Sequence, residues 1–190
     1  MSKNYIEDQA FDRLDYTGAA IEKGEYENCT FSNCNFSGSD LSNIVFSECV
    51  FSDCNLSLAQ IKGAAFRDAR FKNCKLLGLH FQNCNEFLLA MDFDSCILNL
   101  ASFYKLKLKK TRFLNCSLQE ADFSEADLTS ATFDNCDLAK ATFDNTILEK
   151  ADLRTAYNYS IDPETNRLKK ARFSMPAVVG LLDRYDVVIG

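Results

Sequence analysis

The sequence predicts an all-β solenoid, a parallel β-helix of four-sided coils with 20 residues per coil, ending in a short C-terminal α-helix. Three observations predict it. A bulky apolar residue recurs every five positions from Ile6 through Phe11, Tyr16, Ile21, Tyr26 and Phe31 to Phe81 without a miss, and again, shifted by two, from Phe93 through Leu98 and Phe103 to Leu153. Six of the nine cysteines, Cys34, Cys54, Cys74, Cys96, Cys116 and Cys136, fall 20 apart, with one gap of 22 between Cys74 and Cys96. Every twentieth residue then stacks like on like, as Phe31, Phe51 and Phe71 followed by Phe93, Phe113 and Phe133. Helices repeat near 3.6 residues and strands at two, so a period of five needs a different unit: one short straight side and one corner.

Within each side the large residue and the small one two before it point inward, because alternate residues of an extended segment share a face. The small positions read Ala19, Cys29, Cys34, Ser39, Ala59, Ala64, Ala121, Ala126, Ala131 and Ala141. From Phe93 on, Phe and Leu alternate strictly, so opposite sides of the square carry the same residue type. The two extra residues fall near 85–90, around Glu86 and Phe87. The period lapses in 157–168, a stretch rich in turn formers including Asn158, Asp162 and Pro163. Ala171-Arg172-Phe173 lies 20 residues beyond Ala151-Asp152-Leu153 and closes a last side, so the β-helix is assigned to 1–173.

The tail, 174–190, has another chemistry. Ser174 is placed to cap a helix with Pro176 in its first turn, and Val178, Val179, Leu181, Leu182 and Tyr185 form an apolar stripe followed by Val187, Val188 and Ile189. The pattern alone admits two readings: a cap over the last coil, which a solenoid needs, or a dimer interface, since the tail is more apolar than one coil end requires.

Composition narrows the functional classes. The length is that of one domain. No stretch reaches the roughly 18 apolar residues of a membrane span, and Met1-Ser2-Lys3-Asn4 opens no signal peptide, which points to the cytoplasm and away from membranes. A net charge of −6 argues against direct nucleic-acid binding. The cysteines show no paired Cys-x-x-Cys pattern, so they read as small buried hydrophobes and neither metal ligands nor cofactor sites are expected. The single histidine, His80, precedes an inward Phe81 and so faces out, no glycine loop for phosphate is present, and carboxylates such as Asp122 and Asp127 sit on different sides; no catalytic group is assigned.

Charge is uneven along the chain. Residues 115–152 hold nine acids, Glu120, Asp122, Glu125, Asp127, Asp134, Asp137, Asp144, Glu149 and Asp152, against Lys140 and Lys150. Two coils at about 4.8 Å each span about 9 Å, so the surplus is about 0.7 to 0.8 charges per Å, near the roughly 0.6 of duplex DNA. The acids lie on all four sides. Two basic clusters interrupt the acidity, Lys62, Arg67, Arg70, Lys72 and Lys75, then Lys105, Lys107, Lys109, Lys110 and Arg112, with the two-residue insertion between them.

Ala121-Asp122-Phe123-Ser124-Glu125 and Ala126-Asp127-Leu128-Thr129-Ser130 carry a small residue, an Asp, a Leu or Phe, and two polar residues, and in this the sequence resembles the pentapeptide-repeat family over roughly residues 4–155. The resemblance implies a right-handed quadrilateral β-helix. The ending, Leu181 to Gly190, is similar to the C-termini of the Qnr, MfpA and McbG group, which implies a homodimer joined end to end through Val178, Val179, Leu181, Leu182, Tyr185, Val187 and Ile189. It further implies a DNA mimic that binds a type II topoisomerase, DNA gyrase above all, protecting it from quinolone-like or peptide inhibitors or inhibiting it, and so a link to antibiotic resistance. On that expectation the partner-binding acids are Glu120, Asp122, Glu125, Asp127, Asp134, Asp137, Asp144 and Asp152. Qnr proteins carry long protruding loops where this chain has only the short insertion. The alternative expectation is a non-catalytic scaffold of the same fold with no topoisomerase role.

Overall fold

The computed structural model describes residues 4–188, and these wind into a parallel β-solenoid of about eight coils. The first face carries β1 (Asn4–Glu7), β3 (Gly24–Glu27), β5 (Val45–Ser47) and β7 (Ala65–Arg67). The second carries β2 (Ala10–Asp12), β4 (Thr30–Ser32), β6 (Val50–Ser52), β8 (Ala69–Lys72), β9 (Met91–Asp94), β10 (Arg112–Leu114), β11 (Thr132–Asp134), β12 (Asp152–Leu153) and β13 (Arg172–Phe173). All pairings are parallel. Phe11 sits over Phe31 and Phe31 over Phe51 at a 20-residue offset, while Phe71 pairs with Phe93, the 22-residue coil. The third and fourth faces are held by single bridges, such as Ile97↔Ser117↔Asp137↔Tyr157 and His80↔Ser102↔Asp122↔Thr142.

The interior explains the period. Phe11, Phe31, Phe51, Phe71, Phe93, Phe113 and Phe133 form one stack with neighbouring ring centroids 4.8 to 5.3 Å apart and nearly parallel. A second stack meets it edge-on, for example Phe113 against Phe123 at 5.9 Å and 83°. Both geometries suit the ring quadrupole. The second stack changes faces. It runs Tyr26–Phe46–Phe66 on the first face and then Phe81–Phe103–Phe123–Phe143 on the fourth. The change falls where the first face bulges out at 85–90, so Phe81 supplies from the fourth face the ring that the bulged side cannot. Leu and Ile, with Ala, Cys and a few Ser and Thr at the small positions, fill the remaining inward places. All nine cysteines are free and buried, with thiols such as those of Cys54 and Cys136 donating to carbonyls one coil back at 3.3 Å. Burial pushes the Cys49 and Cys84 thiols up to about 12, which keeps them protonated and unreactive.

Corners demand positive φ. Asn33, Asp53, Asn73, Asn115 and Asn135 turn the chain off the second face with φ between 51° and 55°, a conformation that Asn and Asp tolerate best among non-glycine residues. On the third face Ala59 donates to the Leu56 carbonyl at 3.1 Å around Leu58 (φ 57°), the hydrogen bond and left-handed third residue of a type II turn.

The C-terminal segment does not form the expected α-helix. Val178 still donates to the Ser174 carbonyl at 3.0 Å, and the Ser174 hydroxyl caps the turn by accepting from Ala177, but Val178–Leu181 and Asp183–Tyr185 are 3₁₀ turns. Gly180 is the cause. Its carbonyl accepts from Ile161, and a Cβ there would lie 2.1 Å from the Tyr159 carbonyl oxygen, so the chain is pressed onto the last coil too tightly to open into a wider helix.

Phe113 is fully buried within an uninterrupted stack, so Phe113→Ala is expected to cost about 3–5 kcal/mol in denaturant unfolding, whereas Phe87→Ala at the exposed bulge is expected to stay within about 0.5 kcal/mol.

Candidate functional site

With the core filled, only outward positions are available for function, and the backbone sorts the eight candidate acids into two groups. Asp122, Asp127, Asp137 and Asp152 each stand just before an inward residue, one on each of the four faces, and are half-buried. Each accepts the backbone N–H two residues on: Ser124 at 2.9 Å, Thr129 at 3.1 Å, Ala139 at 3.1 Å and Arg154 at 3.2 Å. These are Asx turns that stiffen corners. Glu120, Glu125, Asp134 and Asp144 are exposed.

The folded chain brings four of the eight together. Glu120 turns the corner into the fourth face, Asp122 lies on that face, Glu125 turns the corner out of it, and Asp144 lies one coil further along. Asp134 and Asp152 are on the second face, Asp127 on the first and Asp137 on the third, apart from that group. Tyr104, which the sequence did not single out, belongs to the group: its hydroxyl donates to Glu125 at 2.9 Å and Lys105 lies 4.7 Å over its ring.

Ion pairing, mostly across coils, lowers the local charge. Lys105 reaches Glu125 at 3.4 Å, Lys109 reaches Asp127 at 3.2 Å, Arg154 and Arg172 reach Asp152 at 2.7 and 3.9 Å, and Arg167 reaches Glu149 at 2.6 Å. These five cations come from outside residues 115–152, so the surplus of seven negative charges there falls to two. Asp152 shows the effect directly: the Arg154 guanidinium, with Arg172 further off, holds its carboxyl below the usual carboxylate range. Over the whole chain the charge is banded, net −7 in residues 1–60, +6 in 61–112, −7 in 113–152 and +2 in 153–190. The acidic first band is legible in the sequence once charges are summed over successive coils.

The tail divides in the same manner. Leu181 and Ala177 pack on the core and Val178 is half-buried, while Val179, Leu182, Tyr185 and Val187 are exposed. Arg184 pairs with Asp162 and, at 3.1 Å, with Glu164, which also accepts from the Tyr185 hydroxyl at 2.9 Å. One side of the tail therefore caps the coil and the other presents apolar groups to solvent. Ile189 lies outside the described residues.

Among the described residues no three His, Cys, Asp or Glu side chains gather as a metal would require, and no helix is long and apolar enough to cross a membrane. The family description "Pentapeptide repeat region" matches residues 25–86 and 79–153, and the chain belongs to the pentapeptide-repeat family. The fold is similar to that of trypsin-treated QnrB1, a plasmid-mediated fluoroquinolone resistance protein, at 22% identity and a TM-score of 0.50 over 98% of this chain and 100% of that one. A second trypsin-treated form of QnrB1 matches at 24% identity and a TM-score of 0.50, covering 99% and 98% of the two chains. HetL, involved in heterocyst differentiation in Nostoc sp. strain PCC 7120, matches at 18% identity and a TM-score of 0.46 over 91% and 89%. No curated protein matches the sequence.

Two carboxylates give a pH test. Asp40 is lowered to about 2 by the Ser42 hydroxyl and N–H and then by Lys23, and Asp152 is lowered by Arg154. A carboxyl depressed in the folded state contributes fully above its unfolded value near 4, and the contribution is lost as pH falls toward the folded value. Melting temperature is expected to drop between about pH 4 and pH 2, and the double variant Asp40→Asn with Asp152→Asn to show a shallower drop in the same thermal melts.

Proposed function

We propose that the protein is a non-catalytic, cytoplasmic rod that occupies the basic DNA-binding groove of a type II topoisomerase such as DNA gyrase, with carboxylates standing where phosphates would lie. The observation that carries this reading is the acidic group on the fourth face, Glu120, Asp122, Glu125 and Asp144, set on a coil ladder of fixed register. The likeness in fold to QnrB1, described as a plasmid-mediated fluoroquinolone resistance protein, supports a role in resistance to such drugs. A second copy joins at the C-terminus through Val179, Leu182, Tyr185 and Val187, which would set two rods end to end and lengthen the surface offered to the groove.

One observation favours a second reading. The +6 band in residues 61–112 would be repelled by a uniformly basic groove, and a protein-interaction scaffold with no topoisomerase role has no such conflict.

Purified protein at micromolar concentration is expected to change the supercoiling activity of gyrase or its sensitivity to a fluoroquinolone. The triple variant Glu120→Lys, Glu125→Lys, Asp144→Lys is expected to lose at least about tenfold in that effect with its melting temperature kept. An inert wild-type protein in both assays would leave the scaffold reading. In sedimentation, the wild type is expected to run as a dimer and Leu182→Asp with Val187→Asp as a monomer; a wild type that sediments as a monomer removes the end-to-end joint.

A further inference from the structure

Beside the bulge at 85–90 a groove of about 560 Å³ runs along the corner between the first and second faces. Its lining is mostly polar; half-buried Val50, Leu89 and Ala90 are its apolar part, and Ala69 and Met91 lie buried beneath them. One end is rimmed by Arg70, Lys107 and Lys110, all exposed and, among the described residues, in no ion pair, while their neighbours Lys109 and Arg112 are engaged with Asp127 and Asp92. Glu48 and Asp68 line the other end.

At the bulge Phe87 and Leu88 are 65% and 64% exposed, and Leu88 turns its corner at φ 58°, as Leu58 and Leu100 do at theirs. The loop is nevertheless fixed: the Asn85 side chain accepts the Phe87 N–H at 2.9 Å, Ala90 donates to the Phe66 carbonyl at 3.0 Å, and the Arg67 guanidinium lies 5.7 Å from the Phe87 ring. The Nε of Arg67 is buried with no partner among the described residues. An ordered, exposed apolar tip next to a groove rimmed by cations that, among the described residues, are in no ion pair is a surface shaped for a ligand.

The geometry points to a binding site for a short acidic protein segment with an apolar anchor, the anchor set against Leu89 and the exposed Phe87 and Leu88, and its carboxylates on Lys107, Lys110 and Arg70. Charge selects this occupant over a nucleic acid. The basic band spans about two and a half coils, about 12 Å, and is flanked on both sides by bands of net −7. A few extended residues at about 3.3 Å each fit within that length, whereas a longer polyphosphate would run onto the acidic bands. The site faces an acidic partner and the fourth-face acids a basic one, so each stands or falls without the other.

Fluorescence anisotropy on the full chain tests the site with four labelled probes at low salt: a short peptide of alternating acidic residues with Leu and Phe anchors, the same peptide with Asn and Gln for the acids, the same with Ala for the anchors, and a single-stranded oligonucleotide of equal charge. The first is expected to bind, with the other three weaker by at least about tenfold, and Lys107→Glu with Lys110→Glu to weaken it by a similar factor. Leu88→Gly supplies an independent check, since glycine adopts the left-handed corner freely: it is expected to leave the melting temperature equal or higher while lowering affinity. The proposal is overturned if the first peptide does not bind, if the oligonucleotide binds as well, or if the variants bind it unchanged.

Discussion

Everything in this protein depends on one packing constraint: a ring or branched side chain from each side must fill a narrow interior whose floor is the coil before it. The spacing of stacked parallel strands, about 4.8 Å, is close to the separation at which aromatic rings stack. Phe93, Phe113 and Phe133 follow each other at 5.2 and 4.9 Å, so the backbone ladder and the side-chain ladder share one repeat distance. Neither then strains the other. A single coil cannot close its own core, since each ring is covered only by the rings of adjacent coils. That mutual dependence is why the apolar period runs through the chain with so little interruption.

Because the interior consumes two positions in five, the other three are released from packing. Corners take some of them, which accounts for residues as different as Asn115, Lys110 and Glu120 at positive φ: the backbone needs the conformation and the solvent accepts the side chain. The strained left-handed residues cost something at each corner, and the ladder hydrogen bonds between coils hold them there. Asp122, Asp127, Asp137 and Asp152 show the limit of that freedom. Their charge is on the surface, yet their carboxylates are committed to the turn N–H groups, so an acid in the repeat is first a turn residue.

This division determines what could be read from the sequence. The coil length, the 22-residue coil and the inward ladders were legible because each inward residue meets its neighbours at a fixed offset. Three things were not. The ion pairs Lys105–Glu125, Lys109–Asp127 and Arg67–Glu25 join residues 20, 18 and 42 apart, and which long side chain reaches which acid depends on corner geometry that a pattern does not carry. The grouping of Glu120, Asp122, Glu125 and Asp144 on one face was hidden because the period assigns each acid to a side but gives no weight to exposure. The 3₁₀ tail was missed because its local signals, Ser174, Pro176 and an apolar stripe, belong to a helix, and the contact that prevents one, Gly180 against Tyr159, is tertiary.

The bulge shows how much a solenoid can absorb without losing its register. Two extra residues leave the first face, yet Ala69 and Met91 pair directly across the gap and the second face continues unbroken. The core compensates by moving its second aromatic stack from Phe66 on the first face to Phe81 on the fourth, with the two rings 6.4 Å apart at 63°. A change of that kind must be written into the sequence on both sides of the bulge, as Phe at 46 and 66 before it and Leu at 108 and 128 after it. The insertion is therefore built into the core's own pattern. A loop added late to a finished rod would have left the same face aromatic above and below. The same coil also marks a reversal of surface charge, from net −7 before residue 61 to +6 through residue 112. A rod of uniform charge fits a long groove at any step along its axis, and neighbouring steps differ little in energy. A rod with bands of opposite sign, and one protruding point within them, has a single best axial position against any partner of fixed charge, so the bulged coil gives an otherwise repetitive molecule a defined register.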